Sequence, residues 1–127
     1  MTGLDTNILV RYLTQDDPNQ TEIANREIQD GLSFFITSIV MCELVWVLET
    51  AYNYSRQEII SALDQILLIY QFKFENKSLL QSALDNYRSE KGDFSDHLIA
   101  QIGKQAGCTE TLTFDKELRA NSSFRIL

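Results

Sequence analysis

The spacing of apolar residues along the chain alternates between short β-rich runs and longer stripes of helical period. Thr2 to Asp5 reads as a short apolar strand. It passes into Ile8, Leu9, Tyr12 and Leu13, a spacing that lines one face of a helix. A polar stretch, Gln15 to Asn19, holds the only proline and sets Asp16 and Asp17 to cap a second helix over Pro18–Asp30, closed by Gly31. Ser33 to Thr37 is an aromatic and β-branched run without alternation, as expected of a strand covered on both faces in a parallel sheet. Thr37 or Ser38 then caps a helix from Ile39 to about Ala51, apolar on nearly every face and so expected to be central and buried.

After Asn53–Ser55, the stripe Ile59, Ile60, Leu63, Ile66, Leu67, Tyr70 predicts a fourth helix. Phe72 and Phe74 mark a brief strand, and Leu79, Leu80, Ala83, Leu84 and Tyr87 a helix over Lys77–Arg88. A polar break at Ser89–Gly92 precedes a helix carrying Leu98, Ile99, Ile102 and Ala106 on one side and stopping at Gly107. Thr109–Phe114 and Phe124–Leu127 read as the last strands. The order β, α, α, β, α, α, β, α, α, β, α, β implies a parallel sheet with helices on both faces, in which ligands bind beyond the carboxyl ends of the strands.

With 127 residues, no internal repeat and no linker composition, one domain spanning residues 1–127 is expected. The longest apolar runs, Leu44–Leu48 and Ile66–Tyr70, fall far short of the roughly 18 residues of a membrane span. No basic segment precedes the first apolar stretch, so a cytoplasmic location without membrane association is expected. Cys42 and Cys108 lack metal-ligand spacing and are read as buried small side chains. The net charge of -7 makes the chain a poor nonspecific nucleic-acid binder, so metal ions or a basic partner must compensate if nucleic acid is the substrate.

Candidate chemistry lies in the carboxylates. Asp5 and Asp115 each follow a predicted strand, at the rim where this fold class places its site; both are also well placed to cap the next helix. Glu43 has Ile39, Val40, Trp46 and Val47 as helical neighbours, and a carboxylate on an apolar face needs a metal or an ion pair, for which Arg11 and Arg26 are the available bases. Asp93 and Asp96 share one helical face; Asp93 is read first as a cap, whereas Asp96 is expected to face inward with Ile99 and Ala100. His97 points about 100° away from Asp96 and is placed outside the site. An all-oxygen set of Asp5, Glu43, Asp96 and Asp115, with Asp93 nearby, suits Mg²⁺ or Mn²⁺ rather than zinc. Such ions serve phosphodiester hydrolysis by activating water and steadying the leaving oxygen.

Four segments, LDTNILVRYL, TSIVMCELVWVLE, GDFSDHLIA and TLTFD, together resemble the PIN-domain nucleases, and within them the VapC-type toxins of prokaryotic toxin–antitoxin pairs. The resemblance covers the whole chain. It implies an α/β fold of three layers, with a five-stranded parallel sheet flanked by helices, and an acidic pocket for Mg²⁺ or Mn²⁺. It also implies cleavage of single-stranded RNA, a homodimer, and inhibition by a small antitoxin whose basic tail enters the pocket. Asp5, Glu43, Asp96 and Asp115 match the family's acidic quartet and Asp93 an accessory acid, while Thr6, Asn7 and Thr113 match polar residues that position metal or water. Other readings fit less well. A dehalogenase-like phosphohydrolase wants Asp where Asn7 stands, a receiver domain wants paired acids ending its first strand, and a noncatalytic scaffold gains little from clustered like charges.

Overall fold

The computed structural model describes residues 1–127. The elements follow the expected order: β1 (Thr2–Gly3), α1 (Thr6–Thr14), α2 (Pro18–Asp30), β2 (Phe34–Ile36), α3 (Ser38–Thr50), α4 (Arg56–Leu67), β3 (Phe72–Phe74), α5 (Lys77–Ser89), α6 (Phe94–Gln105), β4 (Thr111–Thr113), a 3-10 turn at Lys116–Leu118, and β5 (Phe124–Ile126). All strand pairings are parallel, but the five strands form two sheets: β1-β2-β3 and β4-β5. Strands of two or three residues close only a few ladder bonds each.

Two compact units divide the chain at Lys77. In the first, residues 1–77, α1 packs on α2 and α3, and the core comprises Leu9, Ile36, Leu44, Leu48, Ile59, Leu63 and Ile66. Phe72 of β3 meets Tyr12, Phe34 and Phe74 edge-on. Helix starts are set locally. Asp17 Oδ1 accepts from the Gln20 N–H (3.1 Å) ahead of Pro18, and Thr37 Oγ1 accepts from the Val40 N–H (3.1 Å). Ser55 and Glu58 form a reciprocal capping box at 3.2 and 3.0 Å.

The second unit, residues 78–127, buries Leu80, Leu84, Tyr87, Phe94 and Leu98, and a small cluster of Ala100, Leu118 and Phe124 backed by Ile126. Gly92 adopts φ 107°, and a Cβ there would lie 2.5 Å from Leu118 Cδ2, so the turn before α6 lies directly against the 3-10 turn.

Several expectations are corrected. Helix α4 ends at Leu67, and Tyr70, placed on its stripe, stands 85% exposed where the chain turns into β3. Helix α3 is not buried all round: Ile39 and Trp46 are 72% and 65% exposed. A helix apolar on every side carries no periodic signal of which side meets the core. Ile99 and Ile102 of α6 are exposed, Cys108 is exposed, and Cys42 is half-buried. No helix is long and apolar enough to cross a membrane.

Candidate active site

The first unit places its candidate residues where β1 gives way to α1. The Leu4 N–H donates to the Phe35 carbonyl (3.0 Å), which carries the ladder one residue beyond β1 and delivers Asp5 at the strand's carboxyl end. Asp5 is extended (φ -83°, ψ 161°) and caps α1, its Oδ1 accepting from the Thr6 N–H at 2.7 Å. The capping expectation for Asp5 therefore holds, and it leaves the second carboxylate oxygen of an exposed residue open. The packing of α1 on α3 brings Glu43 opposite, and both acids line one cavity of about 380 Å³ with Thr6, Asn7, Arg11 and Tyr52. Thr6 is buried, and its Oγ1 has no hydrogen-bond partner. An orphaned buried hydroxyl costs about 1–3 kcal/mol, so it marks a place where a polar ligand or water is wanted.

Glu43 belongs here for a different reason from the one its neighbours suggested. It is exposed, as are Ile39 and Trp46 on the same side of α3, so no desolvation cost demands a partner. Neither anticipated base reaches it: Arg11 pairs with Asp16 (3.0 Å) and Arg26 with Glu22 (2.7 Å). What makes Glu43 a candidate is the cavity that it shares with Asp5.

Sequence reasoning named Arg11 as a possible partner of Glu43 and passed over Tyr52. Arg11 Nη1 donates to Tyr52 Oη (3.1 Å) and Asp16 Oδ1, Arg11 Nε donates to Gln20 Oε1 (2.6 Å), and Tyr52 Oη donates to Asp16 Oδ2 (2.7 Å). Donation from Tyr52, then from Thr14, holds the Asp16 carboxyl below its usual 3.8, and the bond to Tyr52 holds Arg11 above its usual value. The available signal was spacing, since Arg11 lies four residues after Asn7 on one face of α1.

The second unit carries its candidate acids on two segments, the start of α6 and the turn after β4. Asp93 stands at the N-cap of α6, and its N–H donates to Asp96 Oδ2 at 3.0 Å, so the two carboxylates at i, i+3 are reconciled through a backbone donor. Asp96 is half-buried and Asp93 exposed. The inward company expected of Asp96 is only partly present: Ala100 is buried, but Ile99 is 55% exposed. Asp115, two residues beyond the end of β4 at Thr113, accepts at Oδ1 from the Glu117 N–H (2.9 Å), while its own N–H donates to Thr113 Oγ1 (3.0 Å). His97 is fully buried, with Nε2 2.9 Å from the Lys91 carbonyl and its ring edge-on to Tyr87, as befits a packing residue.

The PIN domain family profile matches residues 4–122. The chain belongs to the PIN-domain family. The match begins one residue before Asp5 and runs past Asp115, so all five acids named above fall inside it. The VapC ribonuclease of Aquifex aeolicus (strain VF5) is 29% identical over 122 residues, covering 94% of this chain and 90% of that protein. Both findings bear out the resemblance to PIN nucleases of the VapC type.

The PIN chain's donors fit a hard cation. Asp5 and Glu43 in one cavity, with the unpartnered Thr6 hydroxyl, offer oxygen alone. No three His, Cys, Asp or Glu side chains stand together as a complete cage. Mg²⁺ does not require one, since it usually keeps several waters and takes one or two carboxylates.

Proposed function

We propose that this chain is a metal-dependent endoribonuclease that hydrolyses RNA phosphodiester bonds with Mg²⁺ or Mn²⁺, and that it serves as the toxin of a toxin–antitoxin pair. The observation that carries the reading is the cavity shared by Asp5, Glu43 and the orphaned Thr6 hydroxyl in a PIN-family chain. The two units are read as parts of one PIN-like domain over residues 1–127, because the family match runs through both. The name of the Aquifex relative supports RNA as the substrate class.

Asp5, through the oxygen not engaged by Thr6, and Glu43 would hold the ion, and Asp93, Asp96 and Asp115 are read as further acidic site residues. A divalent ion so held supplies an acidified water and polarisation of the phosphoryl oxygen. Thr6 and Asn7 position water in the first unit, and Thr113, bonded to the Asp115 N–H, does so in the second. Arg11, paired with Asp16 and bonded to Tyr52, gives that wall hydrogen-bond donors beside its two acids. A small antitoxin with a basic tail fits the same acidic cavity, and a homodimer in the cytoplasm completes the reading.

The test is cleavage of a mixed tRNA and rRNA pool by protein freed of any partner, with Mg²⁺, Mn²⁺ or EDTA, beside Asp5→Asn and Asp96→Asn. Discrete fragments that need metal and fall by about a hundredfold or more in both variants are expected, the usual cost of removing one group that stabilises developing charge. Metal binding by calorimetry without any cleavage would replace the proposal with a noncatalytic scaffold.

A further inference from the structure

An acidic chain that acts on RNA still needs cations for the phosphates, because backbone affinity comes from Lys and Arg displacing condensed counterions. Its charge is unevenly distributed. Residues 1–77 hold 5 Lys and Arg against 11 Asp and Glu, whereas residues 78–127 hold 6 against 7. In this nearly neutral second unit Lys91, Lys116 and Arg119 line one open cavity of about 770 Å³, floored by Asn121. That volume lies in the range of sites that accept a ligand of nucleotide size.

The three cations are uncommitted. Arg11, Arg26 and Arg125 are each neutralised by a carboxylate at 3.0, 2.7 and 2.8 Å, but no ion pair engages Lys91, Lys116 or Arg119. Arg119 is held by a neutral acceptor instead: its Nε donates to the Lys116 carbonyl at 2.8 Å, which orients the guanidinium and leaves its charge uncompensated. Two acids also line the cavity. Glu90 accepts from Asn121 Nδ2 (2.6 Å), whose Oδ1 is fixed by the Ser123 N–H (2.8 Å), and Glu117 is the second acid, so the three cations prevail over the two by one formal charge.

The cavity is tied to the acids of the same unit. The close approach of Gly92 to Leu118 joins the two segments that carry these cations. Lys91 precedes Asp93 by two residues, and Lys116 directly follows Asp115.

We propose that Lys91, Lys116 and Arg119 form a subsite for a backbone phosphate of single-stranded RNA, distinct from the phosphate being cleaved. The proposal rests on the ribonuclease reading above. Phosphate is favoured over base recognition because no aromatic side chain lines the cavity on which a base would stack.

The probe is a fluorescein-labelled 12-nucleotide oligouridine, its affinity measured over a series of KCl concentrations in the Asp5→Asn background, where cleavage is silenced. Lys91→Gln, Lys116→Gln, Arg119→Gln and the triple variant are compared with that parent. Each single change is expected to weaken binding, and the triple, which leaves that one phosphate without its cations, to flatten the plot of log K against log salt by about 0.7. Arg119→Lys should restore part of the affinity, and in the Asp5-intact protein the triple should raise KM while retaining kcat. Urea midpoints equal to the parent's keep a folding defect from imitating the effect. An unchanged slope in the triple variant overturns the proposal. So does loss of poly-glutamate binding with RNA binding intact, which would assign the cavity to an acidic protein partner. A flattened slope in a protein that cuts no RNA upholds the subsite and sinks the nuclease reading alone.

Discussion

Gly92 offers the sharpest test of the packing that joins the α6 acids to the 3-10 turn, because the chain contains its own control. Gly92 and Gly107 both adopt positive φ, 107° and 99°. An alanine at either position pays the left-handed penalty of about 1–2 kcal/mol. At Gly107 nothing lies within 4 Å of the new methyl group. At Gly92 it meets Leu118 Cδ2 at 2.5 Å and His97 Nε2 at 3.3 Å. Leu118 is 1% exposed and packed with Ala100 and Phe124, so its tip has no space into which to swing. Crowding a packed core in this way adds about 1–3 kcal/mol. Gly107→Ala should therefore cost about 1–2 kcal/mol and Gly92→Ala about 2–5 kcal/mol. With urea m-values of about 1–3 kcal/mol per molar for small proteins, the Gly92→Ala midpoint should fall below that of Gly107→Ala by at least about 0.3 M at unchanged m. Equal midpoints would refute the close approach as a source of constraint. The same shift would move Lys91 and Asp93 against Lys116 and Asp115, so RNA binding should weaken in Gly92→Ala and not in Gly107→Ala.

Three further outcomes are expected. Ser55→Ala removes the side-chain half of the α4 capping box and should cost about 1 kcal/mol in urea unfolding, with the Glu58→Gln variant, which retains an acceptor, much closer to the parent. Asp16 is held below 3.8 by Tyr52 first and Thr14 second, so its share of stability is intact above pH 3.8 and is lost as pH falls through its lower folded value. In Tyr52→Phe that acid limb should still begin near pH 3.8 but be shallower and end at a higher pH in unfolding curves taken between about pH 2 and 5. Burial pushes the Cys42 thiol above its usual 9.0 while Cys108 is exposed, so a disulfide reagent at neutral pH should label Cys108 first and reach Cys42 at a comparable rate only in denaturant. Equal labelling of both in the folded protein would contradict the packing of α3.

Much of the site's chemistry was legible because it is local. Asp5, Asp17, Thr37 and Asp115 stand just before helical starts, and each accepts from a backbone N–H one to three residues on, a bond that depends on little beyond its own turn. The four sequence segments likewise led to the family that the match over residues 4–122 bears out. Glu43 was singled out for a reason that failed, since a helix apolar on every side conceals which residues meet water. The bond between Arg11 and Tyr52 in the cavity wall was missed because they lie 41 positions apart, and nothing in either neighbourhood announces it.

The sequence by itself thus determined the order of strands and helices, their parallel character, the caps and the inventory of acids, all of which follow from residue type and short-range spacing. Tertiary structure alone decided that Glu43, Ile39 and Trp46 face outward, that the strands pair as three and two, and that Tyr70 leaves its helix. It also decided that three cations scattered over residues 91–119 open onto one cavity. The physical reason is the same throughout: a hydrogen bond to the next turn is set by neighbours in sequence, whereas burial, charge compensation and cavity walls are set by neighbours in space.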